Sequence, residues 1–250
     1  MSGHMTLSKS EVKRINALKI KKYRSIEGLF IAEGQKIILD LIQSGYFPVY
    51  LFATEAHIPV FTNFNLQDIR MISISDLEKI SCLKQSSGCL AVFKIPSVVS
   101  SIQTKDWVLA VDNIQDPGNL GTIIRIADWF GIPHVVCSEG TVDAFNPKVI
   151  QATMGSIAHV QVHYYTLNEW FTTLPSSKPV YAGLLDGQDI SQISFTIPGV
   201  ILIGNEGNGI STNLLPFITQ PVYIPKLGKA ESLNAGVAAG IIASFALLKH

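Results

Sequence analysis

Short apolar runs alternate with helical patterns over the second part of the chain, from residue 105 to the end. The runs are rich in β-branched residues and occupy residues 107–111, 134–137, 179–184 and 200–203. The helical patterns lie between them, at 120–130, 147–158 and 211–217. Apolar runs without polar alternation are typical of buried parallel strands. Their alternation with helices predicts an α/β fold with a mostly parallel sheet and helices on both faces.

The first part of the chain has a different order of elements. Residues 9–24 carry cations at helical spacing, and the following strand and helix patterns occupy 29–33, 35–43, 49–53, 71–74, 75–82 and 90–95. Ser75 is the expected N-cap of the helix at 75–82. A polar stretch marked by Pro96 follows. We therefore predict a small α/β domain at 1–96, a linker at 97–104 and a second domain at 105–250.

Composition narrows the class of protein without identifying it. The chain has 250 residues, of which 47% are hydrophobic, enough for a sizeable core. The longest apolar stretch, 233–248, is interrupted by Asn234, Gly236, Gly240 and Ser244, and so falls short of the roughly 18 to 20 residues of a membrane span. The chain start lacks the layout of a signal peptide, and we expect a cytoplasmic protein.

Cysteine and histidine give no sign of a disulfide framework or a metal site. The cysteines, Cys82, Cys89 and Cys137, form no CxxC pair. No HExxH motif occurs, although His159 and His163 are spaced as i and i+4. We expect thiols in the core and no bound metal.

Charge is distributed unevenly, although the net charge is zero. Residues 1–104 hold twelve Lys or Arg against eight Asp or Glu, whereas the remainder holds seven against eleven. Within the first part, residues 9–24 carry seven cations and a single acid, Glu11. Two interpretations of this basic segment stay open, a solvated helix face and a surface for nucleic-acid phosphates.

Three polar loops follow predicted strands, where ligands bind in open parallel sheets. The first, 112–125, leaves a strand, turns at Pro117 and Gly118, and enters a helix with Asn119 as its expected cap. Arg125 lies in an otherwise apolar stretch of that helix. It is either a snorkelling side chain or one directed at an anion, and the neighbouring loop favours the anion.

The second loop, 203–209, contains three glycines spaced G-x-x-G-x-G. This is the reverse of the dinucleotide fingerprint, and no acidic residue follows at the required distance, which disfavours an NAD site. The glycines permit a tight turn or a close approach of main chain to a ligand, and Glu206 places a carboxylate among them.

The third loop, 223–234, passes from a strand-like start into a helix of small residues. Glu231, Ser232 and Asn234 are polar residues at this junction. A helix start leaves main-chain N–H groups unpaired, and these can hold a polar or anionic ligand. Ser232 is either a plain N-cap or part of such a site, and both readings stay open.

Together the loops read DNIQDPGNLGTIIRIADWFG, LIGNEGNGIS and IPKLGKAESLNAGVAAGI. This ordered set resembles the three motifs of the SPOUT superfamily of methyltransferases, specifically the TrmH (SpoU) branch of RNA ribose 2′-O-methyltransferases. The likeness spans residue 108 to the C-terminus, and residues from Phe30 onward resemble the small RNA-binding domain of many members. It implies a Rossmann-like catalytic domain with a C-terminal trefoil knot, a homodimer, and S-adenosylmethionine as cofactor.

The resemblance also implies roles for individual residues. Arg125 would bind the adjacent RNA phosphate and assist deprotonation of the ribose 2′-hydroxyl, with the general base unassigned. The implied catalytic set is Asn119, Arg125, Glu206, Ser232 and Asn234. The implied cofactor-binding set is Ile203, Gly204, Asn205, Gly207, Ile224, Leu227, Ser232 and Leu233.

One departure from the family pattern concerns RNA binding. Many members carry an Arg-x-Ser-x-Gly-Ala segment where this chain has Gln151 in place of the arginine. We therefore keep three readings: an active methyltransferase, which the polar set favours; a cofactor- and RNA-binding assembly protein without catalysis; and an unrelated nucleotide-binding protein, which the absence of a P-loop disfavours. Ribosomal RNA is the expected substrate, with tRNA as the alternative.

Overall fold

The computed structural model describes residues 5–64, 66, 68–97, 102–103 and 105–248. The chain divides into two compact units, unit 1 with residues 1–97 and 143–158, and unit 2 with residues 98–142 and 159–250. The segment 143–158 thus packs with the N-terminal residues and not with the second predicted domain. Most of the predicted linker, residues 98–101 and 104, lies outside the described residues.

Unit 1 is a small mixed α/β unit. Its sheet has the order β1-β4-β2-β3, in which β2 and β3 are parallel and the other pairs are antiparallel. The strands are β1 (Leu29–Glu33), β2 (Pro48–Ala53), β3 (Ile69–Met71) and β4 (Cys89–Lys94). The described helices are α1 (Lys9–Ala17), α2 (Lys21–Glu27), α3 (Gln35–Gln43), α4 (Ile58–Phe61), α5 (Ile74–Ile80) and α7 (Pro147–Thr153).

Two local predictions for unit 1 need correction. The helix expected to begin with Ser75 as its cap is α5, and its cap is Ser73, whose hydroxyl accepts from the Asp76 N–H at 3.1 Å. The strand expected at 71–74 is β3, which ends at Met71. Serines alternate at 73 and 75, so composition could not decide which of them adopts the extended cap conformation.

Unit 2 has a six-stranded sheet in which all described pairs are parallel, with the order β10-β8-β9-β5-β6-β7. The strands are β5 (Val108–Val111), β6 (His134–Ser138), β7 (Gln161–Tyr165), β8 (Val180–Asp189), β9 (Val200–Ile203) and β10 (Gln220–Tyr223). The described α-helices are α6 (Pro117–Trp129), α8 (Leu167–Thr172) and α9 (Ala235–Leu248). The predicted parallel α/β architecture is confirmed.

The central strands of unit 2 are covered on both faces, which explains their uninterrupted apolar sequence. β5 and β9 are buried along their whole length. One face shares a core with α8 and with a 3-10 helix, Thr212–Phe217, where an α-helix was expected. Pro216 inside that segment has no N–H to donate, which is consistent with the tighter, short helix. The predicted helix at 147–158 is also shorter, because α7 ends at Thr153 and a separate 3-10 turn follows.

The direction of the strands determines where the polar loops lie. β5, β9 and β10 run parallel, so their carboxyl ends meet at one edge of the sheet. The three loops identified in the sequence leave the sheet at this edge. Among the described residues, no helix has the length and apolarity that a membrane crossing requires.

A buried polar cluster lies on β6 and β7 of unit 2. His134 Nδ1 and His163 Nε2 are 3.1 Å apart, and His134 Nε2 is 3.5 Å from a carboxylate oxygen of Asp106. The ammonium of buried Lys178 donates to the Asp106 carbonyl at 2.6 Å. Burial, with the neighbouring His134, lowers the pKa of His163 to about 4, and burial also lowers the pKa of His134. Both imidazoles are therefore neutral in the folded protein near neutral pH.

This cluster predicts acid sensitivity of the fold. Above the ordinary histidine pKa of 6.5 both states of His163 are neutral, and the fold has its full stability. As the pH falls below that value, the unfolded chain takes up a proton that the folded chain does not accept. We expect the free energy of unfolding to drop by about 2 kcal/mol between pH 7.5 and pH 5 from His163 alone.

Urea unfolding at a series of pH values measures this dependence. His163→Gln keeps a polar group near the Nε2 position and cannot titrate, so its slope of stability against pH should be shallower than that of the wild type. Equal slopes for the two proteins would show that His163 does not titrate on unfolding.

Candidate active site

The loop after β5 is held by a buried carboxylate. Asp112 is 3% exposed and accepts from the Ser211 N–H at 2.8 Å and from the Asn113 side-chain amide at 3.0 Å. Asn113 has φ 54°, a left-handed conformation that asparagine tolerates better than most residues. Its N–H donates to the Ser138 hydroxyl at 2.8 Å. The first loop is thus fixed to the end of β6 and to Ser211, which follows the second loop.

The loop after β9 is closed by the side chain of Asn205. The Asn205 amide donates to the Asn113 carbonyl at 2.8 Å, and its Oδ1 accepts from the N–H groups of Gly207 and Asn208 at 2.9 and 3.0 Å. Gly204 is required here, because a Cβ at this position would lie 2.4 Å from the carbonyl carbon of Gly209. The second loop is therefore a tight turn that is also tied to the first loop.

The start of α6 differs from the prediction, and the difference matters for the site. The N-cap is Asp116, not Asn119, because the Asp116 carboxylate accepts from the Asn119 N–H at 2.9 Å and Pro117 occupies the first helical position. Since Asp116 satisfies this helix terminus, the Asn119 side chain is left to make other contacts.

Asn119 joins the three loops through its amide group. Its Nδ2 donates to a carboxylate oxygen of Glu206, and its Oδ1 accepts from the Asn234 amide at 2.7 Å. Three of the residues expected at the site, one from each loop, are thereby brought into a single hydrogen-bonded chain.

The third loop ends at Asn234, which is the N-cap of α9 in place of Ser232. Asn234 Oδ1 accepts from the N–H groups of Gly236 and Val237 at 2.9 and 3.3 Å. Ser232 is exposed, as are Leu227 and Leu233. Within the described structure, no main-chain N–H from residue 227 to 234 donates to a protein group. The loop thus presents a row of donors and apolar side chains to the outside.

Arg125 stands apart from this chain of hydrogen bonds. It follows Asn119 by six residues, so the two side chains leave α6 on different sides. Arg125 is exposed, and among the described residues no hydrogen bond or ion pair involves its guanidinium. The structure therefore does not bring Arg125 to the Asn119 cluster within one chain.

Several residues of the site were missed by sequence reasoning. Asp112, Asn113, Asp116, Ser138 and Ser211 all hold the loops in place. Asp112 and Asn113 follow directly after an apolar strand, which is the one local signal for them. The contributions of Ser138 and Ser211 depend on neighbouring strands and leave no trace in the local sequence.

A family model described as the SpoU rRNA Methylase family matches residues 106–244, which contain all three loops. The chain belongs to the SpoU rRNA methylase family. A second model, described as an MRM3-like substrate binding domain, matches residues 9–91. The SpoU match covers more than half of the chain, and the two matches do not overlap.

Two proteins with methyltransferase names are similar in sequence to this chain. A Bacillus subtilis protein named 23S rRNA (guanosine(2553)-2′-O)-methyltransferase RlmP is 32% identical over 93% of this chain and 94% of its own length. The mouse protein named rRNA methyltransferase 3, mitochondrial is 33% identical over 66% of this chain and 42% of its own length.

Solved structures share the fold over nearly the whole chain. A TrmH-family protein from Porphyromonas gingivalis is 33% identical, with a TM-score of 0.87 over 98% of this chain and all of its own. An rRNA methyltransferase from Sinorhizobium meliloti, solved with bound AdoMet, is 27% identical, with a TM-score of 0.85 over 98% of this chain and 97% of its own. This chain therefore shares its fold with a relative whose structure was solved with bound AdoMet.

The hydrogen bonds of the second loop predict different stabilities for alanine variants of its two asparagines, Asn205 and Asn208. Asn205→Ala removes three side-chain hydrogen bonds, whereas the exposed Asn208 side chain makes none among the described residues. We expect Asn205→Ala to lower the free energy of unfolding by about 2 kcal/mol and Asn208→Ala to leave it nearly unchanged.

Hydrogen exchange supplies a local readout for the same pair. In Asn205→Ala the amides of Gly207 and Asn208 should exchange faster, because they lose the Oδ1 acceptor. Equal exchange and equal stability in the two variants would mean that the Asn205 side chain does not hold this loop.

Proposed function

We propose that this chain transfers a methyl group from S-adenosylmethionine to a ribose 2′-hydroxyl of ribosomal RNA, with a large-subunit rRNA nucleoside as the substrate. The observation that carries the proposal is the hydrogen-bonded chain Glu206, Asn119, Asn234, which joins the three SpoU motifs at one sheet edge. The names of the relatives support an rRNA substrate and a ribose 2′-O target.

The loops fit the cofactor in two ways. The row of main-chain donors at 227–234 suits a ligand with many polar atoms, and the exposed Leu227 and Leu233 offer apolar cover for an adenine ring. The residues that would hold it are Ile203, Gly204, Asn205, Gly207, Ile224, Leu227, Ser232 and Leu233. When bound, S-adenosylmethionine supplies an electrophilic methyl group on a positively charged sulfur.

The protein contributes mainly by positioning the reacting hydroxyl. A ribose 2′-hydroxyl is a weak nucleophile, so its alignment and the loss of its proton limit the reaction. Asn119 and Glu206 fix the loops, and Ser232 and Asn234 lie on the third loop, where they orient the ribose. No group of the site is assigned as the general base.

Arg125 would bind the RNA phosphate next to the reacting ribose. A guanidinium is a fork of donors that matches phosphate oxygens, and it keeps its charge at neutral pH. Its exposure on α6, with no protein partner among the described residues, leaves the fork open for a ligand. The charge beside the 2′-hydroxyl would favour the developing alkoxide and so assist deprotonation.

A homodimer is proposed from one face of unit 2. Trp129 on α6 is 83% exposed, and Val237 and Leu248 on α9 are also exposed. Between them runs an apolar groove lined by Ile126, Ile241 and other residues of the two helices. A patch of this kind is typical of a subunit interface. Arg125 borders it, since it precedes Trp129 by four residues on the helix.

The C-terminal trefoil knot and the cytoplasmic location are also part of this proposal. The C-terminal trefoil knot is supported by the position of α9, which follows the third loop and packs against α6 and β9. Gly236 permits this approach, because a Cβ there would lie 2.8 Å from Thr122 Cγ2. The cytoplasmic location stays a prediction tied to the rRNA substrate.

Gln151 and the acidic excess of residues 105–250 bear on the strength of RNA binding. A neutral side chain on α7 stands where many members carry an arginine, and if that arginine grips RNA phosphate, this chain lacks the contact. We infer that the missing arginine on α7, a helix of unit 1, and the acidic excess of residues 105–250 both weaken RNA binding, and that the cations of residues 9–24 supply much of the affinity. A protein that binds RNA and cofactor without catalysis is the alternative outcome of the first test below.

Labelled methyl transfer tests the reaction and its substrate. We expect transfer from S-adenosylmethionine to unmodified rRNA, with the label on a ribose, and a loss of about 100-fold or more in Arg125→Ala. Arg125→Lys keeps the charge but not the fork, so it should recover part of the activity.

Lys105→Ala is the matched control, because Lys105 is also an exposed cation of unit 2 but lies outside the three loops. Transfer to tRNA in place of rRNA would change the substrate class. Cofactor binding without transfer to either RNA would contradict the enzymatic proposal.

The proposed dimer predicts that a charge at Trp129 changes the oligomeric state. Trp129→Glu places a charge in the apolar face and should convert the protein to monomers, as measured by analytical ultracentrifugation. Ile197→Glu is the control, because Ile197 is 55% exposed and lies before β9, at the opposite edge of the sheet. A wild-type protein that sediments as a monomer would refute the proposed interface.

A further inference from the structure

Three cations of the basic N-terminal segment contact protein groups as follows. Arg14 pairs with Glu27 at 2.9 Å, and the ammonium of Lys19 donates to the Ser81 carbonyl at 2.6 Å. Arg24 is 2% exposed and pairs with Asp143. The side chains that remain exposed are those of Lys9, Lys13, Lys21 and Lys22.

The helix α2 exposes an unusual amount of apolar surface for its length. Ile20, which precedes it, is 55% exposed, and Tyr23 and Ile26 are 42% and 67% exposed. They are spaced by three residues, so they form one stripe along the helix. Single exposed apolar residues need no explanation, but a contiguous cluster marks an interaction surface.

A polar anchor holds α2 in place without covering that stripe. Arg24 is its one buried residue. The Arg24 Nε and Nη2 donate to the Asp143 carboxylate at 2.8 and 2.5 Å, and Nη1 donates to the Leu18 carbonyl at 2.8 Å. Both donors share one carboxylate oxygen, Asp143 Oδ2, and charge-assisted hydrogen bonds of this kind are short and strong. The helix is thus fixed through one side chain while its other faces stay open.

Charge indicates which partner the stripe fits. Glu27 is the acid of α2 and is paired with Arg14, and Lys21 and Lys22 are exposed cations beside the stripe. An aromatic ring flanked by cations suits an unpaired base that stacks on the ring while its phosphates contact the cations. The substrate-binding match at residues 9–91 includes the whole helix.

We propose that the α2 face, formed by Ile20, Lys21, Lys22, Tyr23 and Ile26, is an RNA-contact surface of unit 1, where Tyr23 stacks on an unpaired base of the substrate rRNA. The inference rests on the proposed function, since it takes RNA as the substrate. Arg24 serves this surface as a positioning residue, because it fixes the helix and does not itself face the RNA.

Binding of the full-length protein to an unmodified large-subunit rRNA transcript tests the surface. Tyr23→Ala should weaken binding by about 5- to 50-fold, in line with the loss of one stacked base. The double variant Lys21→Ala, Lys22→Ala should lower the slope of log affinity against log salt by about 1.4, at roughly 0.7 per contact to a single strand. Both should raise KM for RNA and leave kcat nearly unchanged.

Control variants separate this role from a general loss of folding. Phe47→Ala removes an aromatic residue of the same unit that is 73% exposed, and Lys94→Ala removes an exposed cation of β4; neither should change RNA affinity. Arg24→Gln should weaken RNA binding while S-adenosylmethionine binding, measured by calorimetry, keeps its wild-type affinity. If Arg24→Gln loses affinity for both RNA and S-adenosylmethionine, the role of Arg24 is in folding alone. The RNA-contact surface would then be tested by the Tyr23 and lysine variants.

The outcomes distinguish this inference from the proposed function. If the wild type methylates rRNA and the Tyr23 and lysine variants bind rRNA as tightly as the wild type, the α2 face is not an RNA surface. The proposed methyltransferase function would still hold in that case. If those variants change only self-association, the face contacts protein and the inference is overturned. If the wild type neither binds nor methylates rRNA, the proposed function itself fails.

Discussion

The amide of Asn119 is the contact on which the organisation of the site depends. It links Glu206, 87 residues later, with Asn234, 115 residues later. Each such bond adds only about 1 to 3 kcal/mol, so hydrogen bonding alone could not bring these segments together. The parallel sheet does so, because it ends β5, β9 and β10 at one edge. The amide then selects one arrangement of loops that are already close.

That arrangement requires the helix terminus to be satisfied by another residue. Asp116 caps α6 and Pro117 begins it, so Asn119 sits one turn inside the helix with its side chain available. Asn234 both caps a helix and joins the loops, since its Oδ1 caps α9 and its Nδ2 donates to Asn119. Two helix starts thus face the same polar chain, and their N-terminal dipoles favour negative charge nearby, which suits the Glu206 carboxylate.

Elements specified by local pattern were predictable from the sequence, and those specified by distant contacts were not. The predicted bounds of β1, α3 and β9 agree with the structure, because apolar runs and glycine signals determine them. The predicted cap residues were wrong at two helices, α5 and α6, since each start offers several residues able to cap and tertiary geometry selects one. No local signal indicates that 143–158 packs with unit 1. One contact of this segment is the pair of Asp143 with buried Arg24, which the sequence presents as one more cation in a basic run.

The position of Arg125 connects the proposed chemistry with the proposed dimer. On α6 the side of Asn119 meets the loops, whereas Arg125 lies on the side of Trp129, next to the exposed apolar face. An arginine held on such a face without a protein partner would lose favourable solvation when the face is covered by a second subunit. The phosphate of a bound RNA would restore a charged partner at that point. In the proposed dimer, RNA binding and subunit association would then stabilise each other, and the proposed catalytic site would be assembled from two chains.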